Sequence, residues 1–220
     1  MEDKYCLTIE QNLFLAKKQL VESIYCSAKL EGVNTTFPET QTILDGVNIP
    51  SVTLDDITTI LNLRDAWRFI MKTASDDLTL GYICKINEHI SRNESLEWGA
   101  LRNGNVGISG TDYVPAVPVE EKVEEEINKI LTKNVSHTEK ALKMFAYATR
   151  SQLFWDGNKR TATLIANKIM IMNGAGIFKI KEVDIPAFNK HLTGYYNSGN
   201  DENLLCFLYE NCIYGLSIES

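Results

Sequence analysis

The chain has no apolar run near the roughly 20 residues that a membrane-spanning helix requires, so no membrane association is expected. Its opening, MEDKYCLTIEQN, lacks the apolar core of a secretory leader, which predicts a cytoplasmic location. The five cysteines (Cys6, Cys26, Cys84, Cys206 and Cys212) are odd in number and form no CxxC pair; they are expected as reduced thiols. The three histidines, His89, His137 and His191, lie far apart and at no metal-ligand spacing from a cysteine or acid, so a zinc site is not expected. Positive charge is also short. A net charge of -7 argues against a general nucleic-acid binder, whose phosphate contacts need a basic face. It leaves room for a small local anion site.

What is present is an ordinary globular composition: 220 residues, 44% hydrophobic and 23% charged, enough for one generous domain with its own core. Residues 9–31 show amphipathic helical spacing closed by Gly32, a natural residue just past a helix end. A short helix is expected over 38–45, where a proline stands near the start and a glycine near the end. Helical spacing continues through Leu54, Ile57 and Leu61, and again through Ile83, Ile86 and Ile90. It stops at WGALRNGNVGISGTDYVPAVP, which reads as a loop with a small hairpin around Val106–Ile108. Helices resume with Val119, Val123, Ile127 and Ile130 on one face, and then with TEKALKMFAYATRSQ. NKRTATLIANKIMIMNG is apolar on several sides and is expected to be central. IFKI is a candidate short strand, and two further helices close the chain. The expected class is all-α with a small β-hairpin. Residues 1–48 read as an N-terminal helical segment and 49–220 as the core, together one compact unit; the sequence leaves a homo-oligomer open.

Before the central helix stands QLFWDGNKRT, with an acid, a glycine, an amide and two cations in the five residues from Asp156 to Arg160. The first N–H groups of a helix have no internal partners and, with the helix dipole, attract anions. Gly157 permits close backbone approach, Asn158 suits a helix start, and Lys159 and Arg160 add positive charge. Arginine can also clamp a phosphate with two parallel hydrogen bonds. An acid beside an anion site is a conflict that a carboxylate-held Mg²⁺ resolves. The bland alternative is a capped helix with solvated charges.

These residues resemble the Fic family, whose motif is H-x-F-x-[D/E]-G-N-[G/K]-R-x-x-R. Gln152, Leu153, Phe154, Trp155, Asp156, Gly157, Asn158, Lys159 and Arg160 match all but its first position. GALRNGNVGISGTDYVP, Gly99 to Pro115, resembles the family's flap, a hairpin that docks a target segment by strand addition. The resemblance implies a helical fold that moves AMP from ATP to a hydroxyl of a target protein. It implies Mg²⁺ at Asp156, phosphates cradled by Gly157, Asn158, Lys159 and Arg160, Phe154 as a core anchor, and a protein partner docked on Asn105, Val106, Gly107 and Ile108. SAKLEG resembles the family's inhibitory helix, [S/T]-x-x-x-E-[G/N], through Ser27, Glu31 and Gly32; a carboxylate there would exclude or misplace the γ-phosphate.

The chain departs from the pattern at Gln152 and Thr163, and at Lys159 it takes the option of one branch. Gln152 stands where the family has its general base, and an amide accepts no proton at neutral pH; losing a base costs about 10²–10⁴-fold in rate. His89 and His191 are the histidines that could approach in space. Lys159 is shared with the Doc branch, for which the resemblance implies phosphate transfer from ATP. Thr163 replaces the second arginine, the usual partner of the inhibitory glutamate, leaving Arg160 or backbone N–H groups to hold Glu31. Three functions therefore remain open: a weakened AMP transferase, a catalytically silent binding module, and a Doc-like kinase.

Overall fold

Threonine and serine caps set where the helices begin. The computed structural model describes residues 1–95 and 97–216. Thr8 and Thr36 each close a reciprocal capping box, with Gln11 and Glu39, at the starts of α1 (Ile9–Lys18) and α3 (Phe37–Leu44). Thr53, Thr79 and Ser136 accept from backbone N–H groups at the starts of α4 (Leu54–Lys72), α5 (Leu80–Ser91) and α7 (His137–Ser151). Each of these side chains satisfies one amide that the helix itself leaves unpaired. The remaining helices are α2 (Leu20–Leu30), α6 (Glu120–Thr132), α8 (Asn158–Met172), α9 (Ile185–Ser198) and α10 (Glu202–Asn211).

The single helix expected over 9–31 is two. The chain breaks at Gln19, whose backbone leaves the helical region at φ -101°, ψ 12°. The break lets α1 pack on α8 while α2 turns onto α3 and α4. Lys179 fixes the bend by donating to Gln19 Oε1 and Glu22 Oε2, both at 2.5 Å.

The core is built around α8, which packs most extensively on α7 and also meets α1, α4 and α5. Leu164, Ile165, Ile169 and Ile171 of α8 are all buried, as expected for a helix apolar on several sides. Among the described residues the structure shows the mainly helical class with one small antiparallel strand pair. That pair joins β1 (Ile177–Phe178) to β2 (Ile213–Tyr214), so the expected IFKI strand is present. Asn167 of α8 satisfies Phe178 on the strand's other side, accepting from its N–H at 2.9 Å and donating to its carbonyl at 2.7 Å.

Residues 106–108, by contrast, form no strand. An isolated two-stranded hairpin is marginal in water; β1 and β2 pack against α8 and α10, whereas the flap is anchored through its base by Arg102. Residues 217–220 of the expected core lie outside the described residues.

Candidate active site

Two helix ends face each other across the motif loop. α7 ends at Gln152, which adopts the left-handed conformation (φ 46°, ψ 61°) and turns the chain back on itself. Its side-chain amide donates from Nε2 to the Thr149 carbonyl at 2.7 Å. The loop then runs through buried Leu153 and Phe154 to Gly157, again left-handed at φ 72°, which opens α8. A Cβ on Gly157 would stand 2.3 Å from Ser91 Oγ and 2.7 Å from Ile90 Cγ2, so both conformation and space require glycine here. Among the described residues, no acceptor meets the N–H groups of Asn158, Lys159 and Arg160. These amides form the anion-seeking end of α8.

A cleft of about 500 Å³ opens at this end, lined by Gln152, Trp155, Asp156, Gly157, Asn158 and Lys159 from the loop. Gly107, Ile108 and Ser109 of the flap, Asn189, Leu192, Thr193 and Tyr196 of α9, and Glu31 from the end of α2 complete it. The cleft therefore gathers Gln152, Asp156, Gly157, Asn158, Lys159, Glu31, Gly107 and Ile108, eight residues singled out from sequence. Asn105 and Val106 lie on the flap outside the lining. Ser27 is buried on α2, one turn before Glu31. Gly32, at φ 83°, closes α2 with its N–H on the Lys29 carbonyl and the Val33 N–H on the Ala28 carbonyl, the paired bonds of a left-handed helix ending.

Three side chains sit differently from expectation. Arg160 is 5% exposed and turned away from the cleft; its Nη1 pairs with Glu94 at 2.7 Å and its Nη2 lies 3.8 Å from Asp156. Its fork is thus engaged by carboxylates within the fold. The amide of Asn158 folds back on the loop, accepting from the Phe154 N–H at 2.9 Å and donating to the Phe154 carbonyl at 2.8 Å. Glu31 meets neither Arg160 nor a backbone amide: the group near it is Lys159, 3.6 Å away, and its Oε1 is buried without a hydrogen-bond partner. The physical reason is that Thr163, in the second arginine's place, is short and bonds back to the Lys159 carbonyl at 2.9 Å.

Neither histidine reaches the cleft. His89 packs at a tilt against Phe69 and His191 stacks on Phe207, each with ring centroids 5.0 Å apart. Tyr196 lines the cleft, but burial and then the nearby Glu31 charge raise its phenol well above the ordinary value, so it stays protonated. Asp156 is half-exposed at the cleft; its Oδ1 accepts from the Gly157 N–H at 2.6 Å. The carboxylate retains lone pairs toward the cleft and suits a hard cation there.

Asn87 and Arg102 hold this geometry, and neither was singled out from sequence. Asn87, fully buried on α5, donates to the Asp156 carbonyl at 2.9 Å and accepts from the Gly99 N–H at 2.9 Å. The signal was an amide on an apolar face, since Asn87 shares the helical spacing of Ile83, Ile86 and Ile90. Arg102 gathers backbone carbonyls of the flap and of the α7 end, and nothing in its local spacing marks it.

Helices pack around a central α8, and an anion-seeking helix start lies under a loop flap. Residues 77–170 match the Fic/DOC family, so that stretch of the chain is similar to a Fic domain. The protein adenylyltransferase Fic of Nematostella vectensis is 27% identical over 170 residues, covering 72% of this chain and 39% of that relative. The chain thus spans well under half the length of the curated relative it matches. Among solved structures, Fic-1 (residues 134–508) from C. elegans superposes with a TM-score of 0.79 at 17% identity, covering 90% of this chain and 62% of that one. BepC, a VirB-translocated effector of Bartonella tribocorum solved with bound AMPPNP, gives a TM-score of 0.56 at 15% identity and covers 79% and 91%. At these identities the structural likeness establishes the fold.

Proposed function

We propose that the chain is a protein adenylyltransferase that moves AMP from ATP to a hydroxyl of a target protein, slowed by Gln152 and held back by Glu31. The observation that carries this reading is the cleft itself. It brings the unpaired amides of α8, Lys159 and Asp156 together beneath the flap, with the Glu31 carboxylate 3.6 Å from Lys159. A polyphosphate is the ligand whose charge and length suit that set of donors, and AMPPNP bound to BepC supports ATP. Asp156 would hold Mg²⁺, which when bound neutralises phosphate charge.

In the proposed reaction the target hydroxyl oxygen bonds to the α-phosphorus while the bond from that phosphorus to the bridging oxygen breaks. Pyrophosphate leaves and the hydroxyl proton passes to solvent. The α8 amides and Lys159 stabilise the phosphate oxygens, a contribution of positioning and charge that survives loss of a base. Gln152 can orient the hydroxyl through Oε1, because its Nε2 is already committed to the Thr149 carbonyl. The site residues in this reading are Gln152, Asp156, Gly157, Asn158 and Lys159. Asn158 contributes its N–H, and Arg160 braces the loop through Glu94 rather than clamping phosphate.

A second reading, a silent nucleotide-binding module, is favoured by Gln152 together with the absence of any histidine from the described cleft lining. Lys159 is the one feature favouring a Doc-like kinase. Incubation with α-labelled and, separately, γ-labelled ATP, Mg²⁺ and lysate distinguishes them. Protein label from α-ATP alone is expected, rising about 10²-fold in Gln152→His, the usual size of a general-base effect. Label from γ-ATP alone means a kinase. Neither label, in the parent, in Gln152→His and in Gln152→His with Glu31→Gly, while ATP still binds, leaves the silent module.

A further inference from the structure

Arg102 is 1% exposed, yet among the described residues no carboxylate pairs with it. Its Nε donates to the Gln152 carbonyl at 2.5 Å, and its Nη1 donates to the Gly104 carbonyl. Its Nη2 faces the carbonyls of Ala116 at 2.6 Å, Pro115 at 3.3 Å and Ser151 at 3.4 Å. Its own N–H donates to the Leu153 carbonyl at 3.0 Å. Burying an unpaired guanidinium is costly, and the carbonyl end of α7, where the helix dipole is negative, offsets that cost. Burial still pulls the guanidinium pKa down.

An apolar side chain would fill this space without the desolvation cost. It could not tie three separate stretches together: the outgoing arm of the flap at Gly104, the returning arm at Pro115 and Ala116, and the motif loop at Ser151–Leu153. Two other contacts complete the same junction. Asn87 bridges Gly99 to Asp156. Trp155 lies against Gly104, where an added Cβ would come within 2.6 Å of its ring, and donates from Nε1 to Glu97 at 3.1 Å.

We propose that Arg102 is a positioning residue that sets the separation between the flap's docking edge, Asn105–Ile108, and position 152. The flap and the motif loop then move as one piece, and a target segment on the flap presents its hydroxyl at a fixed distance from Gln152. The catalytic consequence rests on the transfer reading above; the mechanical part does not.

The test compares the parent with Arg102→Ala and Arg102→Lys in the full chain. Backbone ¹⁵N order parameters of residues 103–108 and 152 should drop from about 0.85 in the parent to below about 0.6 in Arg102→Ala, with α8 unchanged. Millimolar guanidinium ion should restore them, because the vacated space keeps its ring of carbonyls. Lysine, a point charge with three donors, should restore little, since it cannot span both flap arms. On a Gln152→His background, Arg102→Ala should lower label transfer by about 10²-fold through misplacement of the acceptor. ATP affinity should move less than about twofold, because Asn87 rather than Arg102 braces the ATP-facing loop. Unchanged flap order parameters overturn the proposal whatever the chemistry. Loss of order across α7 and α8 together with the flap, in both variants, also overturns it by making Arg102 a brace for the whole fold. A flap loosened and rescued as expected, in a protein that binds ATP but transfers nothing even as Gln152→His with Glu31→Gly, upholds the positioning role and removes the transfer reading.

Discussion

Gly157→Ala should cost the protein about 2–5 kcal/mol of stability, from two sources that can be separated. The left-handed backbone at φ 72° costs a residue with a Cβ ~1–2 kcal/mol. The new methyl would also stand 2.3 Å from Ser91 Oγ and 2.7 Å from Ile90 Cγ2, and overpacking of this kind costs ~1–3 kcal/mol. For a chain of this length the sum corresponds to a fall in Tm of about 4–20 °C, readable by circular dichroism. Gly32→Ala supplies the control. It has a comparable φ of 83° but nothing within 4 Å of an added Cβ, so it should lose only the ~1–2 kcal/mol backbone part. Ser91 also donates to the Asp156 carbonyl at 3.1 Å. A methyl that pushes Ser91 aside therefore displaces Asp156, and Mg²⁺-dependent ATP binding, followed by calorimetry, should weaken along with stability. Equal melting of Gly157→Ala and Gly32→Ala, with ATP affinity intact in both, would refute the claim that the loop is wedged against α5.

Glu31→Gly should raise ATP affinity about tenfold, a coupling of ~1.4 kcal/mol, as measured by calorimetry; an unchanged affinity reduces SAKLEG to a helix ending. Arg160→Ala and Lys159→Ala should divide the roles of the two cations. The first breaks the buried pair with Glu94 and should lower stability by ~3–5 kcal/mol in urea unfolding. The second, at the cleft, should weaken ATP binding while leaving the urea midpoint nearly unmoved; the opposite assignment would restore Arg160 as the phosphate clamp.

The helices were legible because their signals are local. A proline near a helix start, an apolar repeat and a closing glycine all lie within one turn of what they govern, as at Pro38, Gly46 and Gly32. The motif loop was legible for the same reason, since Asp156 to Lys159 reach the cleft from consecutive positions. The break at Gln19 was hidden, because the apolar repeat runs through it and its cause, Lys179, lies 160 residues away. The junction made by Asn87 and Arg102 was hidden likewise, with bonds joining residues 87 to 156 and 102 to 152. Arg160 was read from its side-chain type alone, which describes what a guanidinium can grip but not that Glu94 reaches it first.

Lys159 has one ammonium group and, with Glu31 3.6 Å away, a resident anion to share it with. That anion is delivered by the chain itself, so it behaves as a tethered competitor whose local concentration dilution cannot lower; short tethers give effective concentrations on the order of millimolar. Under the proposed function, the apparent dissociation constant for ATP is the intrinsic one divided by the fraction of time α2 stands clear, so the tenfold effect expected of Glu31→Gly corresponds to a helix docked for about 90% of the time. Whatever loosens the grip of Lys179 on Gln19 and Glu22 would then sharpen nucleotide affinity from the far end of α2 without touching the cleft.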